Sequence, residues 1–249
     1  MRSSVVLCLI FCLGQAVAAD PDYEREARLA DEIVDVILDG DPEWLEADGR
    51  EFLSIYTEAE DSAVAVIILH GRGFHPDWAD TVNPLRVGLV ERGYSTLSLQ
   101  MPVLAKDAKY YDYVPIFQHA HARIEAGIRF LRDNGHAKVV LLAHSCGVHM
   151  SMAWVREHGD KGIDAYIGIG MGATDYKQPM REPFPLEKLQ VPVLDLYGAL
   201  DYPAVQRGAA ERWRAIEKAG NSKSKQRVSA ACAGFDRAVG LPSIFHCLC

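Results

Sequence analysis

The chain has 249 residues, a length that suits one large domain or two small ones. Its 49% hydrophobic and 24% charged residues are ordinary for a globular protein and ample for a sizeable core. A net charge of −8 argues against the basic surface that nucleic-acid binding calls for, and no polybasic stretch points to a membrane surface.

The first eighteen residues have the layout of a secretory signal peptide. Arg2 gives a positive start, Val5 to Leu13 an apolar run, and Ala16-Val17-Ala18 a small-x-small cleavage site. The run is too short to span a membrane as a stable helix. The expected product therefore begins near Ala19 and is exported, periplasmic or secreted, with no stable membrane insertion; an uncleaved N-terminal anchor is the alternative. Cleavage removes Cys8 and Cys12 and leaves Cys146, Cys232, Cys247 and Cys249. Three of these lie in the last eighteen residues, so a disulfide would staple the tail rather than the core. No Cys or Cys/His spacing fits a zinc site, and neither a metal nor an organic cofactor is expected.

Residues 19–49 read as an N-terminal helical segment. Pro21 to Leu38 carries apolar residues at helical spacing, and Gly40 to Gly49 supplies breakers. A domain over 50–231 follows. Phe52–Thr57, Ala63–Leu69, Ser95–Met101, Lys138–Ala143, Ala165–Met171, Val191–Tyr197 and Lys225–Ala230 read as strands. Pro84–Arg92, Phe117–Asn134, Cys146–Glu157 and Ala204–Ala219 read as the helices between them. This alternation implies βαβ units and a mostly parallel central sheet with helices on both faces.

In an open parallel sheet, ligand sites gather at the carboxyl ends of the strands. Three buried runs end in His70-Gly71-Arg72-Gly73, His144-Ser145-Cys146-Gly147 and Gly198-Ala199-Leu200-Asp201. Ala143-x-Ser145-x-Gly147, between a strand and a helix, suits a serine nucleophile on a tight turn, because the backbone passes too close there for bulky neighbours. An ordinary Ser cap is the plain alternative. A tetrahedral intermediate needs two backbone N–H donors, and those of Arg72 and Cys146 are the candidates. Asp201 follows Ser145 in the order an orienting acid takes; Asp175 is its rival, and Asp195 lies inside a strand as a structural residue.

The remaining polar and aromatic residues leave alternatives open. His75, Tyr110 and Tyr111 are candidates for lining a substrate pocket, against ordinary loop packing. His70, His144 and His149 read as structural. His119 and His121 are two apart on a helix and face different ways, so they are poor co-ligands. His136 and His158 read as solvated residues at helix ends.

The order of strands with HGRG, AHSCG and GALD resembles the α/β-hydrolase superfamily over about residues 50–228. More narrowly, LHGRGFHPDW, LSLQMPVLAKDAKYYDYVP, AHSCGVHMSMAW and GIGMGATDYKQPMREPFPL resemble a bacterial family of exported hydrolase-like proteins of uncharacterised function. The superfamily places its catalytic His after the last strand, in a turn such as G-x-x-H. Here the atypical tail, 232–249, reads CAGFDRAVGLPSIFHCLC, and His246 is the one histidine after Asp201. The resemblance thus implies an α/β-hydrolase fold incomplete at its C-terminal end, acting on a small-molecule acyl or ester substrate through Ser145 and Asp201; with the usual catalytic His missing, His246 is the remaining candidate for the base and the chain as written is expected to be a poor catalyst. Two rivals stay open: a hydrolase fold that binds a ligand without turning it over, and a truncated or frameshifted product of a hydrolase gene.

Overall fold

A computed structural model describes residues 19–232. The expected leader (1–18), the tail after Cys232, and with it His246, lie outside the described residues. The first helix, α1 (Tyr23–Ile33), is capped by Asp22, whose carboxylate accepts the Arg25 N–H at 2.9 Å.

Between Gly40 and Gly49 the chain does not break, as the sequence reading expects, but forms strand β1 (Asp41–Ala47), antiparallel to β2 (Arg50–Thr57). The cause is a two-residue hairpin. Asp48 (φ +52°) and Gly49 (φ +71°) both take the left-handed backbone of a type I′ turn, which an Asp-Gly pair supplies. β1 is an edge strand, and its Asp41, Pro42, Glu43 and Glu46 deter further pairing.

The remaining elements are β3 (Val64–Leu69), α2 (Val82–Val90), β4 (Ser95–Leu99), α3 (Tyr110–Tyr113), α4 (Ala120–Asp133), β5 (Lys138–His144) and α5 (Cys146–His158). They continue with β6 (Ala165–Ile169), β7 (Val193–Leu200), α6 (Pro203–Ala219) and β8 (Lys225–Cys232). The sheet order is β1-β2-β4-β3-β5-β6-β7-β8. β2 is antiparallel to β1 and β4, and every other pairing is parallel. The strand expected to reach Met171 stops at Ile169, because Gly170 (φ +64°) and Gly172 (φ +93°) turn the chain. The helix expected from Phe117 begins as a 3-10 turn, Val114–His119, before α4.

The central strands are continuous apolar runs because both faces are covered. In β3, Ala65, Ile67 and Leu69 join a cluster with Ile124 and Leu131 of α4 and Val148 and Val155 of α5. Val66 and Ile68 point the other way, onto Val82, Leu85 and Leu89 of α2. Among the described residues no helix is long and apolar enough to cross a membrane.

An ion pair between β7 and α6 is buried within this frame. Asp195 of β7 is fully buried and accepts Arg212 Nε (2.9 Å) and Nη2 (3.3 Å) from α6 and Gln226 Nε2 (2.8 Å) from β8. Removing the cation leaves a buried carboxylate without its counter-charge, so Arg212→Met is expected to cost about 3–5 kcal/mol of stability in denaturant melts. A loss well under 1 kcal/mol would show that water or another cation reaches Asp195.

Candidate active site

β5 ends at His144 and α5 begins at Cys146, which leaves Ser145 between them at φ +53°, ψ −113°. Three other described non-glycine residues have positive φ, and Asp48, Asp61 and Lys177 all sit in turns. Ser145 alone of the four joins a strand directly to a helix. Such backbone costs roughly 1–3 kcal/mol and persists only where the surroundings over-determine it. Here they do. Ser145 donates its N–H to Ile169 O at 2.9 Å, and its carbonyl accepts the Val148 N–H at 3.0 Å. A Cβ on Gly147 would lie 2.7 Å from Leu69 O and 2.8 Å from His70 O, so only glycine lets α5 start this close to the end of β3. That contact sets Ser145 beside the 71–74 turn.

Cys146 follows at the helix N-terminus, where the first amides lack intrahelical partners and favour negative charge. Its buried thiol is pushed up to about 12, so it stays protonated at neutral pH and does not compete as a nucleophile.

The 71–74 turn, which carries the candidate Arg72 amide, is held from several sides. Phe74 N–H closes it onto Gly71 O at 3.4 Å, which puts Arg72 and Gly73 (φ +72°) at its corner. His70 is buried; its Nε2 accepts the Met101 N–H at 2.8 Å, which leaves the proton on Nδ1 to donate to Gly71 O at 2.7 Å. Burial lowers the His70 pKa to about 3, so the ring is a neutral brace, as its structural reading anticipates. The Arg72 guanidinium pairs with Asp175 through Nη1–Oδ2 and through Nη2–Oδ1 at 3.2 Å, and Asp175 also accepts the Tyr110 N–H at 2.7 Å. Arg72 holds the Asp175 carboxyl below the usual range. Asp175 is therefore committed to anchoring the turn.

Sequence reasoning sets α1 apart from the site, whereas the structure ties the two together. Arg25 donates to Leu104 O and, through Nη2, to Gly73 O at 3.1 Å. The adjacent Glu26 is buried, accepting the Val103 N–H at 3.1 Å and Arg123 Nη2 at 2.8 Å. Charges on an amphipathic helix read as a solvated face, so no local signal marked these two. On the expectation that the Arg72 amide is an oxyanion donor, Arg25→Ala lowers kcat about tenfold with little change in KM, a fraction of the 10²–10³ lost with one such donor. An unchanged kcat in a folded variant would show that the turn holds without this clamp.

Asp201 stands one residue beyond β7, half-buried. Its Oδ1 accepts the Tyr202 N–H at 2.7 Å and its Oδ2 the Gly198 N–H at 3.3 Å. A Cβ on Gly170 would lie 3.6 Å from Oδ2, and Gly170 directly follows the Ile169 that binds Ser145. The ends of β5, β6 and β7 thus bring Ser145 and Asp201 to one edge of the sheet. Leu200 pairs with Cys232 of β8, so β8 ends opposite the residue before Asp201.

The proposed pocket residues divide. His75 is half-buried in the loop after the 71–74 turn, its Nδ1 accepting the Asp77 N–H at 3.2 Å and its ring set edge-on to Trp78, which stacks on Phe74. Tyr110 is buried against His149 at 4.8 Å, and its hydroxyl accepts the Arg181 N–H at 3.3 Å. Tyr111 lies under the Arg181 guanidinium at 3.9 Å. Both tyrosines pin the 175–181 segment, and the packing alternative describes the Tyr110 ring. His149 is also buried, bonds Ala173 O at 2.9 Å and is lowered to about 4 by burial, which makes it a structural residue.

An edge of parallel strands with a strained Ser145 between strand and helix, the glycine-bearing 71–74 turn and Asp201 can be compared with known folds. A cold-adapted esterase from an Arctic intertidal metagenomic library superposes with a TM-score of 0.63 at 18% identity, covering 82% of this chain and 91% of that one. The chain has the α/β-hydrolase fold. A serine hydrolase without a lid from Xanthomonas campestris gives a TM-score of 0.61 at 14% identity, over 85% of this chain and 93% of that one. An esterase from Pyrococcus furiosus gives 0.59 at 16%, over 77% and 81%. Residues 13–113 match a family described as a protein of unknown function, DUF3530, a stretch that includes the 71–74 turn and stops short of Ser145. No curated protein matches the chain.

Proposed function

We propose that this α/β-hydrolase chain is a serine hydrolase of small ester-like substrates. Ser145 attacks the acyl carbonyl, the Arg72 and Cys146 amides hold the oxyanion, and Asp201 orients an imidazole that takes the serine proton and returns it to the leaving alkoxide. Water then cleaves the acyl-enzyme by the same route in reverse. The observation that carries this reading is the strained backbone of Ser145 between a buried strand and a helix. The esterases and the serine hydrolase among the neighbours support the substrate class.

For the base we propose His246, since β8 ends beside Asp201 and His246 is the histidine that follows it in the chain. The test is hydrolysis of p-nitrophenyl acetate and butyrate by the wild type and His246→Ala. Loss of a triad member lowers kcat by about 10⁴-fold or more. Turnover that survives His246→Ala would place the base elsewhere, and a wild type without turnover would favour the two rivals, a non-catalytic binding protein or a truncated or frameshifted gene product. The leader reading adds that the protein is exported and begins near Ala19; N-terminal sequencing of periplasmic or secreted material checks it, and intact Met1 found only in the cytoplasm would overturn it.

A further inference from the structure

We propose that His121, Glu157 and His158 form a binding site for a divalent transition metal of the zinc type, between α4 and α5. The three ligand atoms lie within 4.8 Å of one another. His121 Nδ1 is 3.5 Å, and His158 Nε2 4.0 Å, from the same carboxylate oxygen, Glu157 Oε2. Two ligands each about 2.0–2.1 Å from a tetrahedral ion sit roughly 3.4 Å apart, so closing this set from separations of up to 4.8 Å needs side-chain shifts of up to about 0.7 Å each.

The supporting residues are those a metal site requires. Glu125, one helical turn beyond His121, faces His158 Nδ1 at 3.3 Å. A carboxylate on that nitrogen holds the ring proton there and leaves Nε2, the atom that faces Glu157, as the ligand. The His158 ring lies nearly parallel to Trp154, 5.8 Å away at 15°, and edge-on to His121 at 5.5 Å, which limits its rotation. Glu125, Glu157 and His158 border one cavity of about 360 Å³ with Arg129 and Lys161.

Those two cations offset the carboxylates, so a hard ion held by charge alone gains little. Two imidazoles and one carboxylate favour zinc, cobalt or nickel over magnesium or calcium. His121 Nε2 is buried without a partner, and a metal on Nδ1 would put the ring proton there. That cost makes the site weaker than a structural zinc site. Cys146 and His158 are the two ends of α5, about 18 Å apart at 1.5 Å per residue, so this site is separate from Ser145. Sequence reading passes over it because it weighs His121 against His119 on one helix, whereas the co-ligands come from the end of the next.

The test is titration of tag-free, chelator-treated full-length protein with Zn²⁺ by calorimetry and with Co²⁺ by visible absorption. One ion per chain, a tetrahedral cobalt spectrum and a higher melting temperature with zinc are expected. His121→Ala and Glu157→Gln should each weaken binding at least tenfold while the apo protein keeps its circular dichroism, and Glu157, largely exposed, is the variant safest for folding. Absence of stoichiometric binding by the wild type, or equal binding by folded variants, would overturn the site.

Discussion

Ser145→Ala is expected to lower kcat for short-chain ester hydrolysis by about 10⁴- to 10⁶-fold while leaving KM and the melting temperature nearly unchanged. The side chain makes no capping hydrogen bond to α5, so its removal deletes no structural contact there. Alanine at φ +53° bears the same backbone strain that serine does, which keeps the elbow's cost the same in both proteins. What disappears is the nucleophile, and residual rate then comes from binding and the two amides. A variant with wild-type turnover would exclude Ser145 from the reaction, whatever its backbone geometry.

Gly147→Ala should act on both stability and rate. In an ordinary helix alanine is favoured over glycine by about 1 kcal/mol. Here the new Cβ meets Leu69 O, His70 O and Leu69 C at 2.7, 2.8 and 3.1 Å, all backbone atoms that cannot rotate away. Either the clash costs roughly 1–3 kcal/mol, or α5 shifts from β3 to relieve it. That shift would separate Ser145 from the 71–74 turn, and a displacement of about 1 Å is enough to cost on the order of 100-fold. Thermal melts and kcat measured on the same preparation check both. A stabilised, fully active variant would show that the helix start is not held against β3.

The parts of this molecule that read well from sequence are those governed by local rules. Buried strands such as Ala63–Leu69 show as unbroken apolar runs, and the elbow shows as Ala143-x-Ser145-x-Gly147 because steric crowding dictates small residues. β1 carries a local signal too, the Asp48-Gly49 hairpin pair, but it is masked by the run of breakers between Gly40 and Gly49. Other features have no local signature. Arg25 reaching Gly73 O, Asp175 joining Arg72 to Tyr110, and His121 meeting Glu157 are contacts between segments distant in the chain. Their partners are fixed by sheet order and helix packing, which no pattern within one segment encodes.

Covalent capture is the sharpest probe of Ser145 as an activated nucleophile. Intact protein would be treated with a fluorophosphonate at neutral pH, digested and mapped by mass spectrometry, with Ser145→Ala and heat-denatured protein beside it. A single phosphonyl adduct on Ser145, absent from both controls, is expected. A folded wild type that stays unlabelled, or an adduct on another residue that persists in Ser145→Ala, would contradict it.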